Sequence, residues 1–205
     1  METVYGKYRD GLVRTLDDLT QRIEGYNEEY VKAGNEPLFY HLITRIKEDS
    51  SMIAKLDARG LPHTPEKALS GSIYDACGIR IVCCFIKDIY ENINRIRKLP
   101  GVKVIREKDY LANAKPNGYR SYHMIISVEE PYEDALGNNP GKWYAEIQLR
   151  TIAMDSWAAL EHRMKYKKTI SDNDLIVSEL RRCADELAAC DVSMQTISDM
   201  INNQQ

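Results

Sequence analysis

The segment from Lys115 to His123, KPNGYRSYH, holds the densest group of chemically versatile side chains in the sequence. Its Pro-Asn-Gly centre is typical of a turn. An aromatic ring surrounded by an amide, an imidazole and cations is suited to stacking on a nucleobase and hydrogen bonding with the edge of that base. An ordinary surface turn with a packed Tyr119 fits the same residues. The segment therefore indicates either a plain turn or a nucleobase site.

A second group is cationic. Arg45 and Lys47 follow a short apolar run, and a helix that begins near Asp49 would repeat three polar side chains every four residues, namely Ser51, Lys55 and Arg59. Such a row lines one helix face, and charged helix faces are most often only solvated. This row, however, follows a strand and a helix N-terminus, where backbone N–H groups and cations hold polyphosphates. We interpret it as a candidate polyphosphate site.

Two acidic residues form a third candidate group. Asp75 precedes a nearly continuous β-branched and apolar run, Ile79 to Phe85, which contains one arginine, Arg80. Glu146 lies in an alternating segment whose other polar residues on the same face are Tyr144, Gln148 and Arg150. If these segments are adjacent strands, with the acids near strand ends, the two carboxylates form a site for Mg²⁺. A strand face that is simply hydrated is the alternative.

Several other kinds of site and protein are not indicated. The five cysteines include no Cys-x-x-Cys pair and the four histidines lack zinc-ligand spacing. The string from Gly137 to Lys142 is one residue short of a phosphate-loop pattern and indicates a hairpin loop. No apolar run approaches the ~20 residues of a membrane span, and the Met1 end lacks the apolar region of a signal peptide. We expect a cytoplasmic protein that binds no membrane.

Charge is distributed unevenly along the chain. The formal net charge is -3, yet residues 1–36 carry -3, residues 169–205 carry -5 and residues 37–168 carry +5. The acidic total argues against a duplex-DNA surface, which would need a surplus of lysine and arginine. The cationic centre indicates a central site for an anion.

Hydrophobic periodicity predicts a mixed sheet that carries these groups. Helical spacing covers residues 4–32, although Gly6, Gly11 and Gly25 weaken it and leave two shorter pieces open. Further helices are predicted over residues 49–59, over residues 86–99, from Ile152 to about Lys167, and from Ser171 onward. Strands are predicted over residues 39–46, 79–85, 102–104, 122–128 and 143–149, the last two as an antiparallel hairpin. The fold class is therefore α+β.

Five ordered motifs resemble those of the guanosine tetra- and pentaphosphate synthetases, the alarmone synthetases of the RelA/SpoT family. They are Arg45-Ile-Lys47 with Ser51 and Lys55, Asp75-x-x-Gly78-Ile-Arg80, Lys115-x-Asn117-Gly118-Tyr119-Arg120-Ser121-x-His123, Glu146-Ile-Gln148-Leu-Arg150-Thr151, and Trp157-Ala-x-x-Glu161-His162. They span about residues 40–165. The resemblance implies a nucleotidyltransferase-like mixed β-sheet flanked by helices, with a synthetase core over residues 37–168. Helical extensions would cover residues 1–36 and 169–205, as in a small, stand-alone synthetase.

The resemblance also implies a reaction, in which the pyrophosphate of ATP passes to the 3′-hydroxyl of GMP, GDP or GTP in the stringent response and AMP is released. Arg45 and Arg80 would sandwich the adenine, and the triphosphate would be held by Lys47, Ser51, Lys55 and Arg59. Asp75 would bind Mg²⁺, with Mn²⁺ as the alternative metal. Glu146 would lie near the 3′-hydroxyl as a base and second metal contact.

For the guanine nucleotide, the resemblance implies that Tyr119 stacks on the base. The remaining residues of that site would be Lys115, Asn117, Arg120, Ser121, His123 and Gln148. Arg106-Glu-Lys108-Asp109 resembles a signature that accompanies nucleotide preference in the large enzymes. The acceptor itself is left open, because GMP, GDP and GTP differ only in phosphates.

Two other functions stay open. A non-catalytic regulator that binds a nucleotide or single-stranded RNA could share the fold, although the intact Asp75 and Glu146 disfavour it. A nucleotidyltransferase that modifies RNA or a small molecule would leave the Tyr119 segment without a role. Small members of the family form homotetramers, so the resemblance implies a homo-oligomer. The apolar stripes of the terminal helices could equally cover the sheet of their own subunit.

Overall fold

A computed structural model describes residues 3–166 and 173–203. Five strands form one mixed sheet in the order β1-β2-β5-β4-β3. Within these described residues β2 and β5 pair in parallel, and the other neighbouring strands are antiparallel, including the hairpin of β4 and β5. The strands are β1 (His41–Ile46), β2 (Cys77–Cys83), β3 (Val102–Asp109), β4 (Tyr122–Glu130) and β5 (Gly141–Thr151). The predicted α+β class with a mixed sheet is confirmed.

Six α-helices and one short 3₁₀-helix, Gly6–Tyr8, are present in the described residues. The α-helices are α1 (Arg9–Lys32), α2 (Asp49–Asp57), α3 (Pro65–Leu69), α4 (Ile86–Ile96), α5 (Ile152–Tyr166) and α6 (Asn173–Asn202). Helix α3 was not predicted, because five residues are too few to show helical periodicity. The predicted end of α5 near Lys167, the predicted helix start at Ser171 and the core boundary at residue 168 lie outside the described residues.

One face of the sheet forms the hydrophobic core. Along β5 the side chains of Ala145, Ile147 and Leu149 are fully buried, whereas Glu146 and Gln148 point to the other face. Helices α1 and α4 cover the buried face with Leu12, Leu19, Ile23, Ile89 and Ile96. Each such fully buried side chain contributes about 1.5–3 kcal/mol through the hydrophobic effect. The apolar stripe of α1 thus covers the sheet of its own subunit.

Helix α1 is continuous despite its glycines. A Cβ atom at Gly11 would overlap the ring of Trp143, so the indole packs against the helix only because a side chain is missing there. Gly25 has no atom within 4 Å of such a position. Gly11 and Gly25 therefore do not divide the helix; the two elements over residues 6–32 are the 3₁₀-helix that begins at Gly6 and α1. Glycine at position 11 has a low helix propensity, but it allows the helix to contact β5 closely.

Helix α6 packs at the end of the sheet and has an exposed apolar side. Ala184, Leu180 and Leu187 form a small second cluster with Trp157 and Tyr119. Asp191 accepts a 2.6 Å hydrogen bond from the hydroxyl of Thr151. The helix also exposes large apolar side chains, among them Leu175, Val192, Met194, Ile197, Met200 and Ile201.

Candidate active site

The polar face of the sheet carries a cavity of about 240 Å³ above β1, β2 and β5. Antiparallel pairing brings Arg45 opposite Gly78 and Ile43 opposite Arg80, and parallel pairing brings Gly78 beside Glu146. We call this space the donor cavity. Its lining residues are Ile43, Arg45, Asp75, Gly78, Ile79, Arg80, Glu146 and Gln148.

Two arginines border the donor cavity in different environments. The exposed Arg45 lies across Gly78, where an added Cβ would be 3.3 Å from its Cγ. Arg80 is half-buried and lies 3.3 Å from the carboxylate of Asp155. Burial and the neighbouring charge of Arg150 lower the pKa of Arg80 from its ordinary value. The two guanidinium groups predicted to hold adenine therefore lie at one cavity.

Asp75 is the centre of a small charge cluster at the entrance to β2. Its Oδ2 atom is 2.7 Å from Lys55 Nζ and 3.3 Å from Lys47 Nζ. Burial opposes ionisation, but the hydrogen bonds and charges of these lysines outweigh it and hold the pKa of Asp75 below its usual value. The other oxygen, Oδ1, is buried without a hydrogen-bond partner. The carboxylate is therefore ionised and has one oxygen free to accept a ligand.

The other residues of the predicted triphosphate group lie on or just after α2. Ser51 is exposed in the first turn of the helix. Arg59 follows the helix and donates to the backbone carbonyl of Ser72. Neither residue lines the donor cavity. Of the four residues predicted to hold the triphosphate, Lys47 and Lys55 lie closest to the acid that borders the cavity.

A second cavity, of about 220 Å³, lies above β3 and β4, and we call it the acceptor cavity. It is lined by Arg106, Glu107, Lys108, Tyr110, Lys115, His123, Ile125 and Glu146. Glu146 thus borders both cavities. The sequence placed the two acids near strand ends, which is wrong for Glu146, since this residue lies in the middle of β5.

Both oxygens of the Glu146 carboxylate receive hydrogen bonds. Oε1 lies 3.0 Å from Nδ1 of His123, and Oε2 accepts from the amide of Gln148 at 3.3 Å. Burial raises the pKa of Glu146, but the hydrogen bond and charge of His123 overcome this effect. The net shift is downward, so Glu146 is ionised at neutral pH.

Lys115 and His123 line the acceptor cavity, whereas Asn117 and Tyr119, which lie between them in the sequence, do not. The Lys115 ammonium lies 4.7 Å from the ring centre of Tyr119 and 5.0 Å from that of Tyr110. The Tyr119 hydroxyl is 2.8 Å from Nε2 of His123. Asn117 binds the carboxylate of Glu161 and accepts from the backbone N–H of Tyr119. Asn117 therefore holds the shape of the turn.

Three further residues predicted for the guanine site do not line the acceptor cavity either. Ser121 is fully buried and donates to the carbonyl of Leu149. Arg120 turns away to α6, where its guanidinium pairs with Asp185 at 2.9 Å. Gln148 lines the donor cavity rather than the acceptor cavity. Arg120 and Ser121 precede the first residue of β4, Tyr122, so strand alternation does not set their directions.

Other polar residues near the site were not among the predicted site residues, although Arg106 and Lys108 belong to the segment that resembles a nucleotide-preference signature. Arg106 and Lys108 line the acceptor cavity. Arg150 and Asp155 form a 2.9 Å ion pair below it. The alternation of β5 already placed Arg150 on the face of Glu146 and could have pointed to it. Asp155 had no such signal, because its contact with β2 depends on where α5 packs.

The described residues contain no group of three or more histidine, cysteine or acidic side chains arranged to hold a metal ion. Asp75 and Glu146 border one cavity, and the unpartnered Oδ1 of Asp75 offers one ligand. This donor set fits Mg²⁺, which commonly takes one or two carboxylates and completes its coordination with phosphate oxygens and water.

Solved structures share this fold. Small alarmone synthetase 2 from Bacillus subtilis superimposes with a TM-score of 0.80 at 33% identity, covering 94% of this chain and 98% of that one. Small alarmone synthetase 1 from the same organism, bound to its product pppGpp, gives a TM-score of 0.78 at 25% identity over 93% of this chain and 94% of that one. The fold is that of the small alarmone synthetases.

Sequence comparison agrees. Residues 44–171 match the model of the region found in RelA/SpoT proteins. The GTP pyrophosphokinase YwaC of Bacillus subtilis is 38% identical over 171 residues, which cover 83% of this chain and 79% of YwaC. The GTP pyrophosphokinase YjbM of the same organism is 26% identical over 94% of this chain and 87% of its own length. The chain belongs to the RelA/SpoT family, and the predicted resemblance is confirmed.

Among the described residues, no helix is both long enough and apolar enough to cross a bilayer.

Proposed function

We propose that this protein transfers the β,γ-pyrophosphoryl group of ATP to the 3′-hydroxyl of a guanine nucleotide, GMP, GDP or GTP. The products are pGpp, ppGpp or pppGpp, together with AMP. The observation that carries the proposal is the position of Glu146, which borders both the donor and the acceptor cavity. The names of the relatives YwaC and YjbM, both GTP pyrophosphokinases, support the same reaction.

The reaction joins one oxygen to phosphorus and releases another. The acceptor 3′-oxygen bonds to the β-phosphorus of ATP, and the bond from that phosphorus to the oxygen bridging the α- and β-phosphates breaks. AMP leaves with the bridging oxygen, and the hydroxyl proton is released. A loose transition state of this kind mainly requires alignment and positive charge beside the transferred group.

The donor cavity binds ATP. Arg45 and Arg80 hold the adenine between their guanidinium groups, which suit stacking because they are planar and weakly hydrated. Lys47 and Lys55 bind the triphosphate, and Ser51 and Arg59 contact its outer part. The ion pairs of both lysines with Asp75 support this role, since they keep the ammonium groups beside the cavity before the nucleotide arrives.

The acceptor cavity binds the guanine nucleotide. Tyr119 stacks on the base, and His123 and Lys115 contact the same nucleotide. Arg106 and Lys108 lie where they can meet its 5′-phosphates. Asn117, Arg120 and Ser121 act on this site through the turn and its supports, and Gln148 acts through Glu146.

Asp75 and Glu146 hold Mg²⁺, with Mn²⁺ as the alternative. When bound, the metal supplies Lewis-acid stabilisation of the charge that develops on the phosphate oxygens. The free Oδ1 of Asp75 supports this assignment. The lysines beside Oδ2 keep the carboxylate ionised, which a metal ligand requires.

Glu146 orients the 3′-hydroxyl by accepting its hydrogen bond. A carboxylate with an ordinary pKa of ~4.3 is a weak base for a hydroxyl group at neutral pH. Its hydrogen bond with His123 shifts the pKa of Glu146 further down. The contribution of Glu146 is therefore alignment and charge more than strong proton abstraction.

The test is to incubate the purified chain with ATP, Mg²⁺ and GMP, GDP or GTP in turn and to analyse the products by mass spectrometry. We expect at least one acceptor to gain pyrophosphate with equimolar AMP. Binding of ATP without product would instead support the non-catalytic regulator, and added single-stranded RNA would show whether RNA is its partner. Glu146→Gln should abolish turnover, whereas Glu129→Gln, an exposed acid on β4, should leave it unchanged.

The remaining proposals concern assembly, division of the chain and location. The protein forms a homo-oligomer, a tetramer by family resemblance, and the exposed apolar side of α6 supports this. The synthetase core spans residues 37–168, with helical extensions over residues 1–36 and 169–205, and the protein acts in the cytoplasm. Size-exclusion chromatography with light scattering measures the molar mass of the protein in solution. A monomer at micromolar concentration would contradict the proposed homo-oligomer.

A further inference from the structure

The side chain of Arg150 is a buried cation with an unusual set of partners. It is 7% exposed and pairs with one carboxylate, Asp155, at 2.9 Å. Asp155 is shared with Arg80, which lies 3.3 Å away. A buried charge is costly unless it is paired and hydrogen-bonded. Since one carboxylate serves two arginines here, the other donors of Arg150 must satisfy neutral groups.

Two series of hydrogen bonds connect Arg150 with Glu146 through these neutral groups. Nη2 of Arg150 donates to the Tyr119 hydroxyl at 2.7 Å, and that hydroxyl is 2.8 Å from Nε2 of His123. Nη2 also donates to the amide oxygen of Gln148 at 3.2 Å. His123 reaches Oε1 of Glu146 and Gln148 reaches Oε2. The five side chains close a ring of hydrogen bonds.

The direction of the hydrogen bonds at Arg150 and at Glu146 follows from the chemistry of these two side chains. Arginine can only donate, and an ionised carboxylate can only accept. The Tyr119 oxygen accepts from Arg150, and at the other end the Nδ1–H of His123 donates to Glu146. The Gln148 oxygen accepts from Arg150, so its NH₂ group faces Glu146. Arg150 therefore donates into the ring at one end, and Glu146 accepts at the other.

We propose that Arg150 is the positioning residue of the acceptor site: through Tyr119, His123 and Gln148 it orients the phenol of Tyr119 and both oxygens of Glu146. Arg150 lines neither the donor nor the acceptor cavity, so it acts through these neighbours. The proposal rests on the proposed function. It implies that replacing the planar guanidinium of Arg150 lowers kcat/KM for the acceptor, while ATP binding is preserved.

The test is a double-mutant cycle of Arg150→Lys and Tyr119→Phe. Lysine keeps the charge and can pair with Asp155, but one ammonium lacks the planar fork that serves Asp155, Tyr119 and Gln148 together. Phenylalanine keeps a stacking ring and removes only the hydroxyl. We expect each single variant to lower kcat/KM for the acceptor about 10- to 100-fold, as losses of outer supporting partners do at metal sites. The KM for ATP should change less than about twofold, and the melting temperature should stay near that of the wild type.

The decisive comparison is Arg150→Lys in the Tyr119→Phe background. If Arg150 acts through the hydroxyl, the second substitution adds much less than it does in the wild type, because interacting residues are not additive. Fully additive losses, or a loss that follows a lower melting temperature, would overturn the proposal and leave the proposed function standing. A lysine variant with wild-type kinetics would also overturn it. If the wild-type chain transfers nothing to any acceptor, the proposed function fails, and this inference fails with it.

Discussion

Gly78 and Glu146 are direct neighbours in the parallel pairing of β2 with β5. Because Gly78 has no side chain, the space next to the Glu146 carboxylate stays open, and Arg45 lies across the bare backbone. A glycine in a strand interior often marks such a close approach. Here it separates the arginine proposed to hold adenine from the carboxylate proposed to align the acceptor.

Gly78→Val should narrow the donor cavity. A Cβ at this position would be 3.3 Å from Cγ and 3.4 Å from Nε of Arg45, so Arg45 must move. We expect the KM for ATP to rise by about tenfold, the equivalent of ~1.4 kcal/mol, with the KM for the acceptor nearly unchanged. Steady-state kinetics with each substrate varied in turn give the KM for ATP and the KM for the acceptor. An equal rise in both constants would contradict the assigned donor side.

Gly11 and Gly25 provide a matched pair on α1. Gly25→Ala should stabilise the protein by about 0.5–1 kcal/mol, since alanine favours the helix and meets no atom. Gly11→Ala should destabilise it by about 1–3 kcal/mol, because the new Cβ overlaps the Trp143 ring in a packed core. Urea unfolding of both variants gives the free energies. If Gly11→Ala also raised the free energy of unfolding, helix propensity would outweigh the Trp143 contact.

Asp75→Asn should reduce turnover by at least about 100-fold. The substitution keeps the size of the side chain but removes the negative charge that a Mg²⁺ ligand needs, and it leaves Lys47 and Lys55 without their partner. Activity measured against Mg²⁺ concentration should show a higher metal requirement. Asp57→Asn, an exposed carboxylate on α2, serves as the control and should behave as the wild type.

Gly118→Ala should weaken binding of the acceptor. Gly118 has φ +90°, and an added Cβ would lie 2.5 Å from Cβ of Ala184 and 3.0 Å from the Arg181 backbone on α6. Gly34 also has φ +90° but no atom within 4 Å, so Gly34→Ala isolates the backbone strain. We expect the KM for the acceptor to rise about tenfold for Gly118→Ala and to stay unchanged for Gly34→Ala. A tenfold rise corresponds to a loss of ~1.4 kcal/mol of binding free energy. Equal behaviour of the two variants would show that contact with α6 does not support the turn.

The sequence by itself determined the α+β class, most of the element positions and the family. Strong periodicity made this possible: the alternation of β5 placed Glu146 and Gln148 on one face and Ala145 and Ile147 on the other, as the structure confirms. The ordered motifs around Arg45, Asp75, Lys115 and Glu146 carried the family resemblance, because each combines polar side chains at positions where a packed core would not need them.

Only the tertiary structure decided which of these residues meet. Local pattern could not show that Glu146 borders two cavities, since that depends on β5 lying between β2 and β4. It could not show that Arg120 turns to α6 or that Asp155 of α5 reaches Arg80, because these contacts join elements distant in the chain. Periodicity assigns a side chain to a face, and the packing of whole elements determines its neighbours. The two acidic terminal segments have similar net charge but different neighbours. Helix α1 packs into the core, whereas α6 packs against Tyr119.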